Sequence, residues 1–349
     1  MRIAARTLIA ALLLSLVASA QDLQVGTAHA VAGQKTTGEI QVPAGVDAGT
    51  NIPVEIIRGA KPGPVLALVA GSHGTEYASI IALQKLIQHV DSAQISGTLI
   101  VIPLVNLPSF QKKVPHVNPV DNKSMNRFYP GDMHGTQTDR ASWMITKEVV
   151  ENSDYLIDFH GGDLDESLRP YSYWSPTGKA QQDAVSKEMV LAFGLDTIII
   201  VRDRPTDINH SRFLDNTASL RGKPTVTVEA GHAGTVEVDD VNALMNGSLN
   251  VMRYLKMLPG EAKPVANPVW IERIASATSD QPGTFYPLVK RGTYVNQGMR
   301  IGYLTDYLGA KIADITAPAN GVVLYICALP TMNKGDTVAN IGVIAAQAP

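Results

Sequence analysis

Five short apolar runs, spaced among segments of helical periodicity, constrain the fold of this chain more than any other feature. They read PVLALVAG, GTLIVIPLVN, SDYLIDFHGG, LDTIIIVRD and KPTVTVEAGH, all between residues 64 and 232. Their apolar residues are too continuous for half-exposed strands, so each run is expected to be covered on both faces. Helical periodicity falls over Glu76–Val90, Ala141–Asn152, Ala180–Phe193 and Val241–Leu258. Strands alternating with helices predict an α/β fold with a mixed, mostly parallel sheet flanked by helices. Ahead of them, TGEIQVPAGVDAGTNIPVEIIRGAKPG reads as a β-hairpin leading into that sheet.

The texture changes after LPGEAKPVANP, a Pro-rich stretch with the look of a linker. From there to Pro349 only short strands and turns are expected. VKRGTYVNQGMRIGYL and PTMNKGDTVANIGVI echo each other across this tail, which resembles the barrel-sandwich fold of lipoyl and biotinyl domains. It lacks their MKM or DKA tip, so Lys311 is expected to be a strand residue rather than an attachment point for a swinging arm. The expected division is residues 1–20 as a signal peptide and 21–258 as a catalytic domain with its N-terminal hairpin. Residues 259–268 follow as a linker and 269–349 as a β-rich, barrel-sandwich-like domain.

Lys plus Arg number 29 against 32 Asp plus Glu, and the net charge of −3 leaves no electrostatic footprint for nucleic acid. At the start, Arg2 and Arg6 precede TLIAALLLSLVASA, an apolar run too short to span a bilayer that ends in the small residues Ala18-Ser19-Ala20. This pattern predicts a signal peptide cleaved after Ala20 and an exported chain, periplasmic or secreted, with an uncleaved anchor as the alternative. No later stretch is apolar enough for a transmembrane segment. The one cysteine, Cys327, lies in the apolar run GVVLYICAL and is expected to be buried and inert; stability must come from the core rather than a disulfide.

Three of the five runs end in residues suited to metal chemistry: GSHGTE, DFHGGD and VEAGH. Open α/β sheets place their functional crevice at the carboxyl ends of the strands. His73, Glu76, His160 and Glu229 would then gather at one rim. Two imidazoles and a carboxylate form a His₂Glu set that suits catalytic zinc with a position left open for water. His73 on the turn and Glu76 in the first helical turn can converge on one ion, with Gly74 between them. Asp158, two residues before His160, shares its face of the strand and could orient that imidazole. Blander readings stand beside these: a helix-capping glutamate next to a surface histidine, and an aspartate bonded elsewhere at the sheet edge.

LALVAGSHGTEYASIIALQKL, VDNKSMNRFYPGD, YLIDFHGGD and KPTVTVEAGH occur in this order and together resemble the succinylglutamate desuccinylase/aspartoacylase family, a zinc carboxypeptidase-like group. The resemblance runs over most of residues 54–258, and the β-rich tail fits it. It implies His73, Glu76 and His160 as ligands of one Zn2+ per chain. It makes Glu229 the general base and then the proton donor, and assigns Asn126 and Arg127 to a substrate carboxylate. An arginine fork suits that last task because it engages a carboxylate with two hydrogen bonds.

One departure stands out. The family places an arginine some eleven positions before the second residue of its Asn-Arg pair, to polarise the scissile carbonyl; here that position is His116. His116, Lys112 or Lys113 could take the role, the metal could act unaided, or the alignment could shift. His210 and His232 are not expected to ligate metal. RDRPTDINHSRFLDNTASLRG carries Arg202, Arg204, Arg212 and Arg221, of which at least one could reach substrate.

The expected function is zinc-dependent hydrolysis of an N-acyl amino acid or a related small acylated amine bearing a free carboxylate. Export keeps open a carboxypeptidase or amidase acting on peptides or cell-wall fragments. A non-catalytic, zinc-stabilised binding protein is the third alternative. Neither the acyl group nor the oligomeric state is legible from the chain.

Overall fold

The structure, a computed structural model, describes residues 23–349; the expected signal peptide and its cleavage site lie outside them. β1 (Leu23–Val25) and β2 (Ala28–Ala30) form a short antiparallel ribbon. β3 (Lys35–Val42) and β4 (Thr50–Arg58) make the expected hairpin. The chain then alternates through β5 (Lys61–Ala70), α1 (Tyr77–His89), β6 (Ser96–Ile102), α2 (Leu107–Lys112), α3 (Gln137–Ile145) and β7 (Tyr155–His160). Next come β8 (Glu166–Trp174), α4 (Ala180–Phe193), β9 (Thr197–Ile200), α5 (Leu214–Leu220), β10 (Thr225–His232) and α6 (Val238–Tyr254). The tail supplies β11 (Val269–Thr278), β12 (Gly283–Pro287), β13 (Tyr294–Val295), β14 (Arg300–Thr305), β15 (Lys311–Thr316), β16 (Gly321–Cys327), β17 (Thr331–Met332) and β18 (Thr337–Ile344).

Among the described residues, twelve strands form one mixed sheet in the order β13-β16-β18-β11-β9-β8-β10-β7-β5-β6-β4-β3. Its parallel character is concentrated in two blocks, β6-β5-β7-β10 and β8-β9-β11, which meet antiparallel where β8 pairs with β10. The unbroken apolar runs are explained by burial on both faces. On β5, Leu66 and Leu68 pack with Leu83 and Leu86 of α1, while Ala67 and Val69 turn to the opposite core with Ile145 of α3 and Leu214 of α5. Local signals agree with these elements. A capping box between Thr136 and Asp139 opens α3, and Gly194 in a left-handed conformation closes α4.

β8 is the strand that the sequence pattern does not reveal. ESLRPYSYW mixes polar residues with a proline and has no continuous apolar run. It is extended because β10 pairs with it on one edge, while β9 and β16 pair with it on the other. Hydrogen bonding also continues across residues 259–268, which form no strand or helix. Val269 of β11 pairs with Thr197 of β9, and Cys327 of β16 with Glu166 of β8. Within that segment, the Lys263 N–H donates to Asn250 Oδ1 at 2.9 Å and the Val265 N–H to the Leu191 carbonyl at 2.9 Å. A four-stranded sheet, β15-β14-β12-β17, packs Phe285, Ile301 and Leu304 against Val323 of β16 and Val338 and Ile341 of β18 in a shared core. Lys311 opens β15, and Cys327 is a buried free thiol. No helix among the described residues is long and apolar enough to cross a membrane.

Candidate active site

β5, β7 and β10 are neighbours in the sheet and run parallel, so their carboxyl ends open on the same edge. His73 and Glu76 follow β5, His160 ends β7 and Glu229 lies on β10. One donor atom from each of His73, Glu76 and His160 falls within 4.8 Å of the others. Glu76 is the hub: its Oε1 lies 2.7 Å from His73 Nδ1 and its Oε2 3.0 Å from His160 Nδ1. The Gly161 N–H donates to the same Oε2 at 3.1 Å. Glu76 occupies the cap position just before α1 rather than the first helical turn, and its side chain caps no backbone N–H. The flanking glycines serve the neighbouring backbone. Gly71 adopts φ +72°, and a Cβ on Gly74 would sit 2.3 Å from the Phe110 nitrogen, so only glycine lets α2 pack against this turn.

Burial raises the Glu76 carboxyl, but the imidazoles of His73 and His160 override it and hold it at about 2. His160 is fully enclosed, which disfavours its charged form. Asp158 and Glu76 nevertheless carry its imidazole well above the ordinary range. A buried carboxylate between two imidazoles offers nitrogen and oxygen donors that suit a divalent cation. Asp158 is buried with no hydrogen bond to its carboxylate, and its Oδ1 lies 3.4 Å from His160 Nε2. That is where a carboxylate orienting this imidazole would stand.

Glu229 faces the donor set from β10 and is only partly covered. Burial, with Glu76, Glu166 and Asp158 nearby, drives its carboxyl well above the usual range against the opposing pull of His160. Tyr171 and Tyr173 of β8 stand beside it, and Tyr173 donates to the Tyr171 hydroxyl at 3.4 Å. Glu166 begins the same strand and is raised to about 7, chiefly by burial and by Glu76. These three residues line the cleft but were not legible as site residues, because β8 itself was not legible.

Asn126 and Arg127 sit on a 3₁₀ turn, Met125–Arg127. Asn126 is pinned by the Leu214 N–H, which donates to its Oδ1 at 3.1 Å, and its Nδ2 lies 3.1 Å from His160 Nε2. The Arg127 guanidinium lies 5.0 Å over the Phe213 ring and donates to the Asn126 carbonyl at 2.6 Å. No carboxylate of the protein pairs with it among the described residues.

His116 also lines the cleft. Its Nε2 lies 2.8 Å from Asp165 Oδ1 and its Nδ1 3.3 Å from buried Asp163. The Asp165 hydrogen bond outweighs the cost of burial and raises this imidazole to about 9, making it a cation at neutral pH. Of the four loop arginines, Arg202 and Arg204 line the cleft. His210 pairs at the surface with Asp207, and His232 stands apart from the donor set. The cleft encloses about 980 Å³, and Glu272, Arg273 and Asn340 of the tail form part of its wall.

Residues 62–255 match the family description Succinylglutamate desuccinylase/Aspartoacylase catalytic domain. The chain is 27% identical over 296 residues to N-alpha-acetyl-L-2,4-diaminobutyric acid deacetylase of Halomonas elongata, covering 83% of this chain and 85% of that protein. Two solved structures share the fold. One is a succinylglutamate desuccinylase/aspartoacylase from Rhodobacter sphaeroides, with TM-score 0.80 and 21% identity over 90% of this chain and 96% of that one. The other is the product-bound ectoine utilization protein EutE (DoeB) from Ruegeria pomeroyi, with TM-score 0.81 and 22% identity over 92% of this chain and 100% of that one.

Proposed function

The chain belongs to the succinylglutamate desuccinylase/aspartoacylase family of amide-hydrolysing deacylases, and we propose that it is an exported, zinc-dependent deacylase of N-acyl amino acids. The observation that carries this reading is the convergence of His73, Glu76 and His160 within 4.8 Å, faced by the separate carboxyl of Glu229. The donor chemistry fits one zinc ion with open positions. Such an ion, when bound, supplies Lewis-acid polarisation of the scissile carbonyl and a more acidic water.

The remaining steps belong to the chain's own side chains. Arg127 holds the substrate's free carboxylate through its planar fork, and Asn126 adds its amide. This anchoring presents the amide carbonyl to the donor set in a fixed orientation. Glu229 accepts a proton from the attacking water and delivers it to the departing nitrogen, acting as base and then acid. A carboxyl raised by burial is suited to the second half of that cycle. Asp158 fixes the orientation of the His160 ring. His116, a cation that lines the cleft, is our candidate for stabilising the oxygen as charge develops, in place of the arginine that the family resemblance leads one to expect there.

The Halomonas relative is named as the deacetylase of an N-acetylated diamino acid, which makes N-acetyl-L-2,4-diaminobutyrate the first substrate to try. A cleft of about 980 Å³ also leaves room for a short peptide, so a blocked dipeptide is the competing test substrate. Turnover of the dipeptide with none of the acylated amino acid would reverse the assignment. In the zinc-loaded protein, Glu229→Gln is expected to retain metal and lower kcat by about 10²–10⁴-fold. Undiminished activity in that variant removes Glu229 as the base.

A further inference from the structure

Phe213 precedes α5 and lies under three guanidinium groups: Arg204 at 4.2 Å from the ring centroid, Arg127 at 5.0 Å and Arg212 at 5.7 Å. Two of these cations, Arg127 and Arg204, line the cleft. Among the described residues only Arg204 of the three pairs with a carboxylate, buried Asp215, which accepts from its Nη2 at 2.9 Å. Arg204 and Arg212 both depress the Arg127 guanidinium further than burial does alone, the mark of like charges held close together.

Such a concentration of positive charge is costly unless an anion joins it. Arg204 is placed to receive one. Asp215 holds its Nη2 edge and Phe213 supports its plane, leaving Nη1 with no protein partner, while the buried Nε also lacks a hydrogen bond. A guanidinium fixed in this way loses little freedom on meeting a ligand.

We infer that Arg204 is a second carboxylate-binding arm of the cleft, acting beside Arg127 to select substrates whose free end carries a carboxylate. This rests on the deacylase reading of the same cleft. It adds a binding residue from a loop that has no helix or strand to reveal it. Arg212 contributes charge to the cluster, while Asp215 acts as a positioning residue for Arg204.

The test compares N-acetyl-L-2,4-diaminobutyrate with its α-carboxamide. Binding is measured by calorimetry on the zinc-loaded Glu229→Gln protein, so its outcome does not depend on turnover. Protein with Arg204 intact should prefer the carboxylate, and Arg204→Met should weaken carboxylate binding by about 10–100-fold, the scale of a charge-assisted hydrogen bond. Carboxamide binding should change less than about threefold, since a neutral end gains little from the charge.

Arg204→Lys should recover part of the preference, because it retains the charge but not the fork. Arg204→Met with Asp215→Asn removes the carboxylate that the single change would orphan, and should show the same loss of selectivity in a folded protein. Equal loss for carboxylate and carboxamide would mean a structural role and overturn the inference. So would Arg204-intact protein that binds both ligands alike, or neither. Failure of the parent protein to hydrolyse either compound, with the binding preference intact, would sink the deacylase reading and leave the arginine clamp standing.

Discussion

His73, Glu76 and His160 stand at the ends of adjacent parallel strands, whereas Arg127 and Arg204 stand on a short 3₁₀ turn and an irregular loop. The first group is held from behind by the β5–β7 ladder and by the Gly161 N–H on Glu76. The second is held by side-chain contacts, with Leu214 bonded to Asn126 and two guanidinium groups packed on Phe213. One wall of the cleft is therefore set by backbone hydrogen bonding and the other by packed charge. Donors that must share an ion tolerate little displacement, which favours strand ends. Groups that meet a flexible substrate can stand on loops that vary without disturbing the sheet.

This division of labour predicts that damage to the strand-end wall removes chemistry, while damage to the loop wall removes selectivity. The largest effect is expected from His73→Ala, which should lose both bound metal and activity to background while circular dichroism stays native. The core does not depend on this side chain, so global unfolding would show that the donor wall is a folding element as well. Next, Arg127→Met should raise KM for a carboxylate substrate by about 10–100-fold with a smaller fall in kcat. A fall in kcat alone would move Arg127 across to the chemical wall.

Gly74→Ala tests how closely the turn is packed. The added methyl would meet the Phe110 nitrogen, and the expected cost is about 1–3 kcal/mol in chemical denaturation, with part of the metal affinity lost as His73 and Glu76 shift. The smallest effect concerns His116, which borders both walls. Its folded value of about 9 exceeds the ordinary 6.5, so its ion pairing stabilises the fold fully below about pH 6.5 and is lost as pH rises through 9. The half-exposed side chain is screened by solvent, which keeps the contribution small. His116→Gln should flatten the decline in Tm across that window, and an unchanged profile would show that the Asp165 pair adds nothing to stability.

Much of the strand-end wall was legible in the chain, and for a physical reason. A strand covered on both faces must be continuously apolar, so PVLALVAG and YLIDFHGG expose their own ends and the polar residues placed there. The loop wall was legible only as a run of arginines whose places could not be assigned. β8 was invisible because it has no continuous apolar run and its extension comes from the partners on its edges. Tyr171, Tyr173 and Glu166 stayed hidden with it.

By itself the sequence determined the alternation of strand and helix, the candidate donors His73, Glu76 and His160, and the distinct character of the tail. Periodicity and glycine placement are local properties, written into neighbouring residues. Only the tertiary structure decided that β11 and β16 extend the same sheet, that Glu272 and Arg273 wall the cleft, and that Arg204 lies against the ring that supports Arg127. Those facts depend on strand pairing and charge packing between residues far apart in the chain, which no local pattern records.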